Sequence, residues 1–539
     1  MIYPDLKSRL QVFIALAGVC FLVFANSLTG DFIYDDFAIL LSNPSIGHPG
    51  KFLLSPADLL YSLNFLLAKG SPFVYHLTNI LLHAINTVLV FMFLKLFFKT
   101  EGSMLGALLF AVHPVHAEAV TWITARGYLT IAFFILVPYL LYYRATSAKN
   151  GSKKIRIIFY LLSLFIFAYF LVRSLSFYAF FPLLLILSDM TFRKWRTTWK
   201  LWLPFLLVLA VQLFLARGLI SSRIGTAAAE MGTKPIWHNP LLNLIYSVFI
   251  HSGLLLWPDN LTLYHDPIRV SAVRTFLGGA GLLAIVAVSP FLFKKAKELF
   301  FAIWLFILFL APTYSPVPIV SLIGERYLYF PSVALCMFTA YCYEKYRFRS
   351  HEGKRKAVIL LLFLVAAYGA RTVSRNTDWK DQGRFWRVTA IASPGSAWAH
   401  SNLGFAFQGE GNAQAAIIEY EKAIHLKPNL WDAYNNLGTV YHAIGRIQEA
   451  ITVYNKLLAG NPGFTKAYNN LGVIYNQIGK NDEAIAAYKK AVEIDPGYAN
   501  GYFNLAVLYK LMGRQQEAQA AYQKAIEINP ALQSMPYRP

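Results

Sequence analysis

Cysteine and charge are both scarce in this chain. Three cysteines occur among 539 residues, and Cys20, Cys336 and Cys342 all stand in apolar runs. They form no disulfide framework and no zinc-binding spacing. Charged residues make up 14%, and acidic ones are the scarcer, 28 Asp+Glu against 49 Lys+Arg. Globular domains carry about 25% charge, so a wholly soluble protein is excluded. In place of charge the chain is 56% hydrophobic and 16% aromatic, with a mean hydropathy of +0.45. It reads as a polytopic membrane protein with a soluble appendage.

The net charge of +21 raises the question of nucleic acid, and its distribution answers it. From residue 391 on there are 12 Lys+Arg and 11 Asp+Glu, a net of +1, which leaves +20 before that point. Much of that excess sits in short loops, as the positive-inside rule expects of a membrane protein. No nucleic-acid partner is expected; membrane lipids are. The first apolar run, Leu10 to Leu28, is too long for a signal-peptide core and lacks a small-residue cleavage site, so it is expected to remain as an uncleaved span.

A membrane helix needs about 20 mainly apolar residues. Candidate spans are 10–28, 76–98, 103–121, 127–143, 156–172, 174–191, 200–217, 273–293, 298–312, 326–344 and 357–372. Basic clusters orient them. Lys7 and Arg9, Lys95 and Lys99, the groups at 144–156, 193–200 and 294–297, and the dense run 345–356 all fall on one side if 241–257 does not cross. That segment, bracketed by Pro240 and Pro258, is read as a re-entrant or interfacial helix. The expectation is eleven spans, N-terminus cytoplasmic and C-terminus outside, in an inner cell membrane or an endoplasmic-reticulum membrane. A twelve-span path between 218 and 272 is the alternative. In the first outer loop, Pro56 to Ala68 has helical periodicity and suits an amphipathic helix on the membrane.

The C-terminal part repeats every 34 residues. Asn402-Leu403-Gly404, Asn436-Leu437-Gly438, Asn470-Leu471-Gly472 and Asn504-Leu505-Ala506 share one phase, with Ala416, Ala450, Ala484 and Ala518 and with Pro394, Pro428, Pro462, Pro496 and Pro530. This is the tetratricopeptide signature, and four repeats predict an α-solenoid with a concave face. The fold class expected is all-α: a polytopic helical membrane bundle over 1–372, a linker over 373–393, four repeats over 394–530 and a tail over 531–539. Trp379, Phe385 and Trp386 in the linker suit docking of the repeats on the outer membrane face. One amide per repeat, at Asn402, Asn436, Asn470 and Asn504, makes a ladder able to hold a peptide main chain, since amides donate and accept. Helix packing is the other role open to them.

Three outer stretches hold the candidate chemistry. Gly30-Asp31-Phe32-Ile33-Tyr34-Asp35-Asp36-Phe37 sets two adjacent carboxylates at a membrane edge, where they need solvent, a metal or a shared proton; a loop or N-cap cluster is the plain alternative. His113-Pro114-Val115-His116-Ala117-Glu118 offers two imidazoles and a carboxylate, either capping the break at Pro114 or holding a divalent metal, although the spacing matches no standard zinc motif. In Gly324-Glu325-Arg326-Tyr327, Arg326 either snorkels or clamps a phosphate.

Together these stretches resemble the transmembrane and tetratricopeptide-repeat-containing O-mannosyltransferase family, within the GT-C superfamily that uses polyprenyl-phosphate sugars. The matching residues are Tyr34-Asp35-Asp36, His113 to Val120 with Arg126-Gly127, Glu325 to Ser332, and the repeats. The resemblance implies a membrane glycosyltransferase moving a mannose-like sugar from a polyprenyl-phosphate donor to Ser or Thr of an extracytoplasmic protein, with inversion. It implies Asp35 as base, Asp36 as its tuner or an acceptor-orienting group, and Arg126 and Arg326 on the donor phosphate. His113, His116, Glu118 and Glu325 would shape the donor site, and the four asparagines would bind acceptor. No cofactor is implied beyond a possible divalent metal. Two departures stand out: Arg173-Ser174-Leu175-Ser176 lacks a carboxylate that relatives carry there, and Tyr128 stands where they tend to have a polar or acidic residue. A non-enzymatic repeat scaffold, or the same enzyme class with a lipid or glycan acceptor, are the rival readings.

Overall fold

The protein is described from a computed structural model. It describes residues 6–33, 35–41, 46, 56–147, 152–171, 175–193, 195–231, 240–259, 261–262, 272–314, 323–347 and 351–534. Tyr34, Arg173, Ser174 and Asn260 lie outside them. The described residues are helical, with no strand among them, and the chain divides into two compact units, 1–385 and 386–539.

Among the described residues of the first unit seven helices are long and apolar enough to cross a membrane: Leu10–Thr29, Pro72–Leu94, Ile123–Ser147, Lys153–Leu171, Trp199–Gly218, Val273–Lys295 and Arg355–Thr377. An eighth is the pair Thr100–Val112 and Pro114–Thr121, bent by 50°. Pro114 has no N–H to continue the helical ladder, so the break falls where the sequence puts it. The other three of the eleven expected spans correspond to shorter helices, Phe181–Phe192, Lys297–Phe309 and Val333–Arg347. The 241–257 segment is the helix Pro240–Leu256. Pro56–Ala68 is helical as expected, with Leu63, Leu66 and Leu67 exposed along it and Tyr61, Ser62 and Asn64 buried.

Small residues let these helices approach closely. A Cβ at Gly106 would meet the Cys336 carbonyl oxygen at 2.7 Å, which holds Thr100–Val112 tight against Val333–Arg347. Polar bonds tie the helix ends near residue 376. Asn376 donates to the Val23 carbonyl at 2.9 Å and accepts from Thr121 at 3.1 Å, joining the first span, the broken span and the last one. Buried groups of this kind are costly unless paired, so the pairing specifies which ends meet.

The second unit holds four helix pairs, from Ala397–Gly409 with Ala413–Leu426 to Ala499–Leu511 with Gln515–Ile528. Each pair turns at a glycine in the left-handed region, Gly411, Gly445, Gly479 and Gly513, with φ of 75 to 77°; only glycine adopts this without a Cβ penalty. Within a pair the faces are close: a Cβ at Gly472 would lie 2.5 Å from the Tyr488 ring. In the pair Ala499–Leu511 with Gln515–Ile528, Ala506 takes that place and its partner Tyr522 is only half-buried, a looser fit than at the buried Tyr420, Tyr454 and Tyr488. The boundary between units falls inside helix Gln382–Ala392, and helix His351–Thr377 runs through residue 372.

Candidate functional site

Asp35 and Asp36 are neighbours in sequence with different surroundings. After the 3-10 turn Ala25–Thr29 the backbone is extended at Gly30, and the Asp31 N–H donates to the Lys380 carbonyl at 2.8 Å. A helical turn then begins at residue 36, so adjacent side chains diverge. Asp36 is fully buried. One of its oxygens accepts the Ile33 N–H at 3.0 Å, closing its own turn; the other accepts the Thr124 N–H at 3.0 Å, across 88 residues. Phe32, Leu40, Tyr61, Tyr75 and Ile123 pack around this junction. Asp35 is only half-buried. Burial pushes its carboxyl up from the ordinary aspartate value, and the Arg326 charge nearby opposes the rise.

Burial acts more strongly on Asp36, raising it to about 7 against the pull of the Ile33 and Thr124 N–H donors. Between the ordinary value of 3.8 and about 7 the folded chain therefore holds a proton that the unfolded chain has released. Stability then falls as pH rises through that window. Melting curves of wild type and Asp36→Asn across it test this: the variant should lose the slope. An unchanged slope would assign it to another group.

Arg326 sits in the buried 3-10 turn Glu325–Leu328. Its backbone N–H donates to Glu118 Oε2 at 2.9 Å, and its guanidinium Nη1 makes a close ion pair with Glu118 Oε1. The adjacent Glu325 turns the other way and pairs with Arg375 at 2.8 Å, which also reaches Asp378 at 3.1 Å. Three acidic and two basic side chains thus alternate from the broken span to the last one. Beside Arg326 opens a narrow cleft lined by Tyr128, Ile131, Phe177, Phe309, Tyr327 and Phe330.

Arg126 stands apart from this cleft. It is fully buried, donates to Asn79 Oδ1 at 2.7 Å and the Tyr75 carbonyl at 3.0 Å, and lies 4.4 Å over the Tyr61 ring. Its Nη1 has no hydrogen-bond partner among the described residues.

His113 and His116 are buried with both ring nitrogens engaged. His113 Nε2 donates to the Leu255 carbonyl at 2.9 Å, and its Nδ1 accepts the Val115 N–H at 3.3 Å, capping the break. His116 Nδ1 donates to the Phe110 carbonyl at 2.8 Å, and Nε2 faces the Ser332 hydroxyl at 2.9 Å. These bonds lock the bend, consistent with the capping alternative. Among the described residues no group of three His, Cys, Asp or Glu side chains is placed to hold a metal ion.

The asparagines of the repeats bond to one another. Asn470 donates to Asn435 Oδ1 and to the Tyr454 hydroxyl, each at 3.1 Å, and Asn504 donates to Asn469 Oδ1 at 2.8 Å. Asn436 Oδ1 accepts from the Asn435 amide at 3.3 Å. The ladder therefore joins neighbouring repeats, which leaves the half-buried amide oxygens of Asn470 and Asn504 accepting no bond among the described residues. Sequence spacing pointed to neither Arg375 nor the phenols of Tyr128 and Tyr327. The available signal was a pair of arginines, Arg371 and Arg375, one turn apart at the end of an apolar helix.

Tetratricopeptide-repeat family models match residues 399–430, 419–452, 438–479 and 464–531. Curated relatives extend the similarity into the membrane part. Protein O-mannosyl-transferase TMTC3 of Homo sapiens is 25% identical over 77% of this chain and 51% of its own length. Protein O-mannosyl-transferase Tmtc3 of Drosophila melanogaster is 22% identical over 78% and 56%, and protein O-mannosyl-transferase F38B6.6 of Caenorhabditis elegans 24% identical over 79% and 64%. The chain thus spans about half the length of the human relative. Among solved structures, a crystal structure of MamA is 29% identical over 28% of this chain and 87% of its own, with a TM-score of 0.26. The chain is a helical membrane protein with C-terminal tetratricopeptide repeats, similar over about three quarters of its length to proteins named protein O-mannosyl-transferases.

Proposed function

We propose that this chain is a membrane glycosyltransferase that moves a mannose-like sugar from a polyprenyl phosphate to Ser or Thr of an extracytoplasmic protein. The observations that carry this reading are the half-buried Asp35, whose carboxyl feels the Arg326 charge, and the aromatic cleft that opens beside Arg326, in a chain similar to O-mannosyl-transferases. The acceptor hydroxyl attacks the anomeric carbon and its proton passes to Asp35. The bond from that carbon to the phosphate oxygen breaks, and direct displacement inverts the centre. Arg326 stabilises the charge that gathers on the leaving phosphate, where cations contribute most. Asp36 serves as a positioning residue. Glu118 holds Arg326, Glu325 belongs to the pair behind it, and His113 and His116 shape the wall through the bend they lock. Arg126 supplies a second positive charge to the outer region. The site and the repeats face outside, with the N-terminus in the cytoplasm.

The repeats supply the acceptor. Asn402, Asn436, Asn470 and Asn504 meet a peptide main chain through the amide groups that the internal ladder leaves over, each bond contributing roughly 0.5–1.5 kcal/mol net. Purified protein in vesicles, given polyprenyl-phosphate mannose, tests both halves. Wild type should mannosylate a long acceptor protein with an inverted anomeric centre. Replacing all four asparagines by Ala should raise KM for that protein by up to about 10²-fold and leave transfer to a short peptide unchanged. Circular dichroism establishes that the repeats remain folded, since the internal bonds are lost as well. An unchanged KM in the folded variant would remove the ladder from acceptor binding.

A further inference from the structure

The cleft beside Arg326 presents hydrogen-bond donors in an apolar wall. Glu118 occupies the Nη1 side of the guanidinium fork. The Nη2 group donates to the Tyr327 hydroxyl oxygen at 3.4 Å, and Tyr128 lines the same cleft beside it. A phenol oxygen that accepts a guanidinium N–H turns its own hydrogen outward. Neither hydroxyl hydrogen has an acceptor among the described residues. Arg326 and Tyr327 are nine-tenths or more buried, and the two phenol rings stand 5.8 Å apart, nearly perpendicular. The remaining wall is Ile131, Phe177, Phe309, Phe330, Pro331 and Tyr329, whose hydroxyl is engaged by His83 and Asn86.

We infer that Tyr128, Tyr327 and Arg326 form a three-donor cradle for the phosphate of a prenyl monophosphate. A phosphate oxygen accepts and does not donate, so it suits a set of donors. A sugar hydroxyl needs an acceptor as well, and the nearest carboxylate, Glu118, is committed to the far side of Arg326. The aromatic wall gives the adjoining apolar chain a dry surface, and a buried charge-assisted bond is about twice as strong as a neutral one. Free inorganic phosphate lacks the tail that this wall would cover. The inference deepens the donor reading above and rests on it. It makes Tyr128, where relatives tend to carry a polar or acidic residue, a determinant of how this chain holds its donor.

The test is equilibrium binding of farnesyl monophosphate to the full-length protein in detergent, with farnesol and inorganic phosphate as comparators. Wild type should bind the phosphate ester far more tightly than the alcohol, and inorganic phosphate should compete poorly. Tyr128→Phe and Tyr327→Phe should each raise Kd for farnesyl monophosphate about tenfold, the scale of one hydrogen bond to a charged group. Farnesol binding should not change, and this also shows that the variants are folded. If both variants bind the ester as wild type does, the cradle is wrong and the donor reading stands. If wild type does not distinguish ester from alcohol, the donor reading fails with it. Equal displacement by inorganic phosphate would overturn the prenyl assignment.

Discussion

Asp35→Asn should lower sugar transfer by about 10²-fold or more, the scale on which a positioned general base contributes. The change keeps the size of the side chain and removes its proton-accepting oxygen. Asp35 is half-buried, and burial raises its carboxyl while Arg326 restrains the rise. A base needs to be ionised at working pH yet basic enough to take a hydroxyl proton, and these two influences set that balance. Wild-type rates should therefore climb with pH through the titration of Asp35, and the variant should lack that limb. Binding of farnesyl monophosphate should persist, because the phosphate is held by Arg326 and its phenols. Initial rates and donor binding on the same purified sample separate the two effects. Full transfer activity in Asp35→Asn would remove the residue from its role and favour a scaffold.

The second large effect concerns stability. Arg375→Met leaves Glu325, which has no exposed surface, without its cation. Breaking a buried pair from one side costs about 3–5 kcal/mol, because a charge is stranded away from water. Arg375 also holds Asp378 and stacks 5.5 Å from the Trp379 ring, so the loss falls at the C-terminal end of the last span. Replacing both partners, Arg375→Met with Glu325→Leu, should restore much of the melting temperature, since no fully buried charge is then left unpaired and Asp378 keeps access to water. Thermal unfolding in detergent compares the three proteins. A single variant that melts like wild type would mean that water or another group already serves Glu325.

How much of this was legible in the sequence depended on the range of the contact. The repeats were plain, because a 34-residue period restates the same packing four times, and even the left-handed Gly411, Gly445, Gly479 and Gly513 recur with it. Most spans were plain from hydropathy. Three came out as shorter helices because composition locates an apolar stretch without fixing where hydrogen-bonded turns begin; Val333–Arg347, for example, starts seven residues after the expected boundary at 326. The candidate site was legible as a set of residue types and illegible as a set of pairs. Glu118 and Arg326 are 208 positions apart, and spacing carries no trace of that partnership. Asp35 and Asp36 have the same side chain and adjacent positions, so only the path of the backbone distinguishes the half-exposed acid from the buried one. His113 and His116 present the same limit. A pair of imidazoles three residues apart looks alike whether it faces a ligand or fastens a bend, and it is the carbonyls of Leu255 and Phe110 that distinguish the two.

The bond from Asp36 to the Thr124 N–H has a mechanical consequence. Membrane proteins meet bilayers of different thickness, and individual helices respond by tilting or sliding along the normal. A side chain registered only to its own helix would travel with it. Asp35 follows the first span in the chain, yet the segment that carries it is latched to the turn that opens helix Arg126–Ser147. That same helix bears Tyr128. The acid and one wall of the cleft therefore share a frame of reference inside the protein, and their separation is buffered against changes in the surrounding lipid.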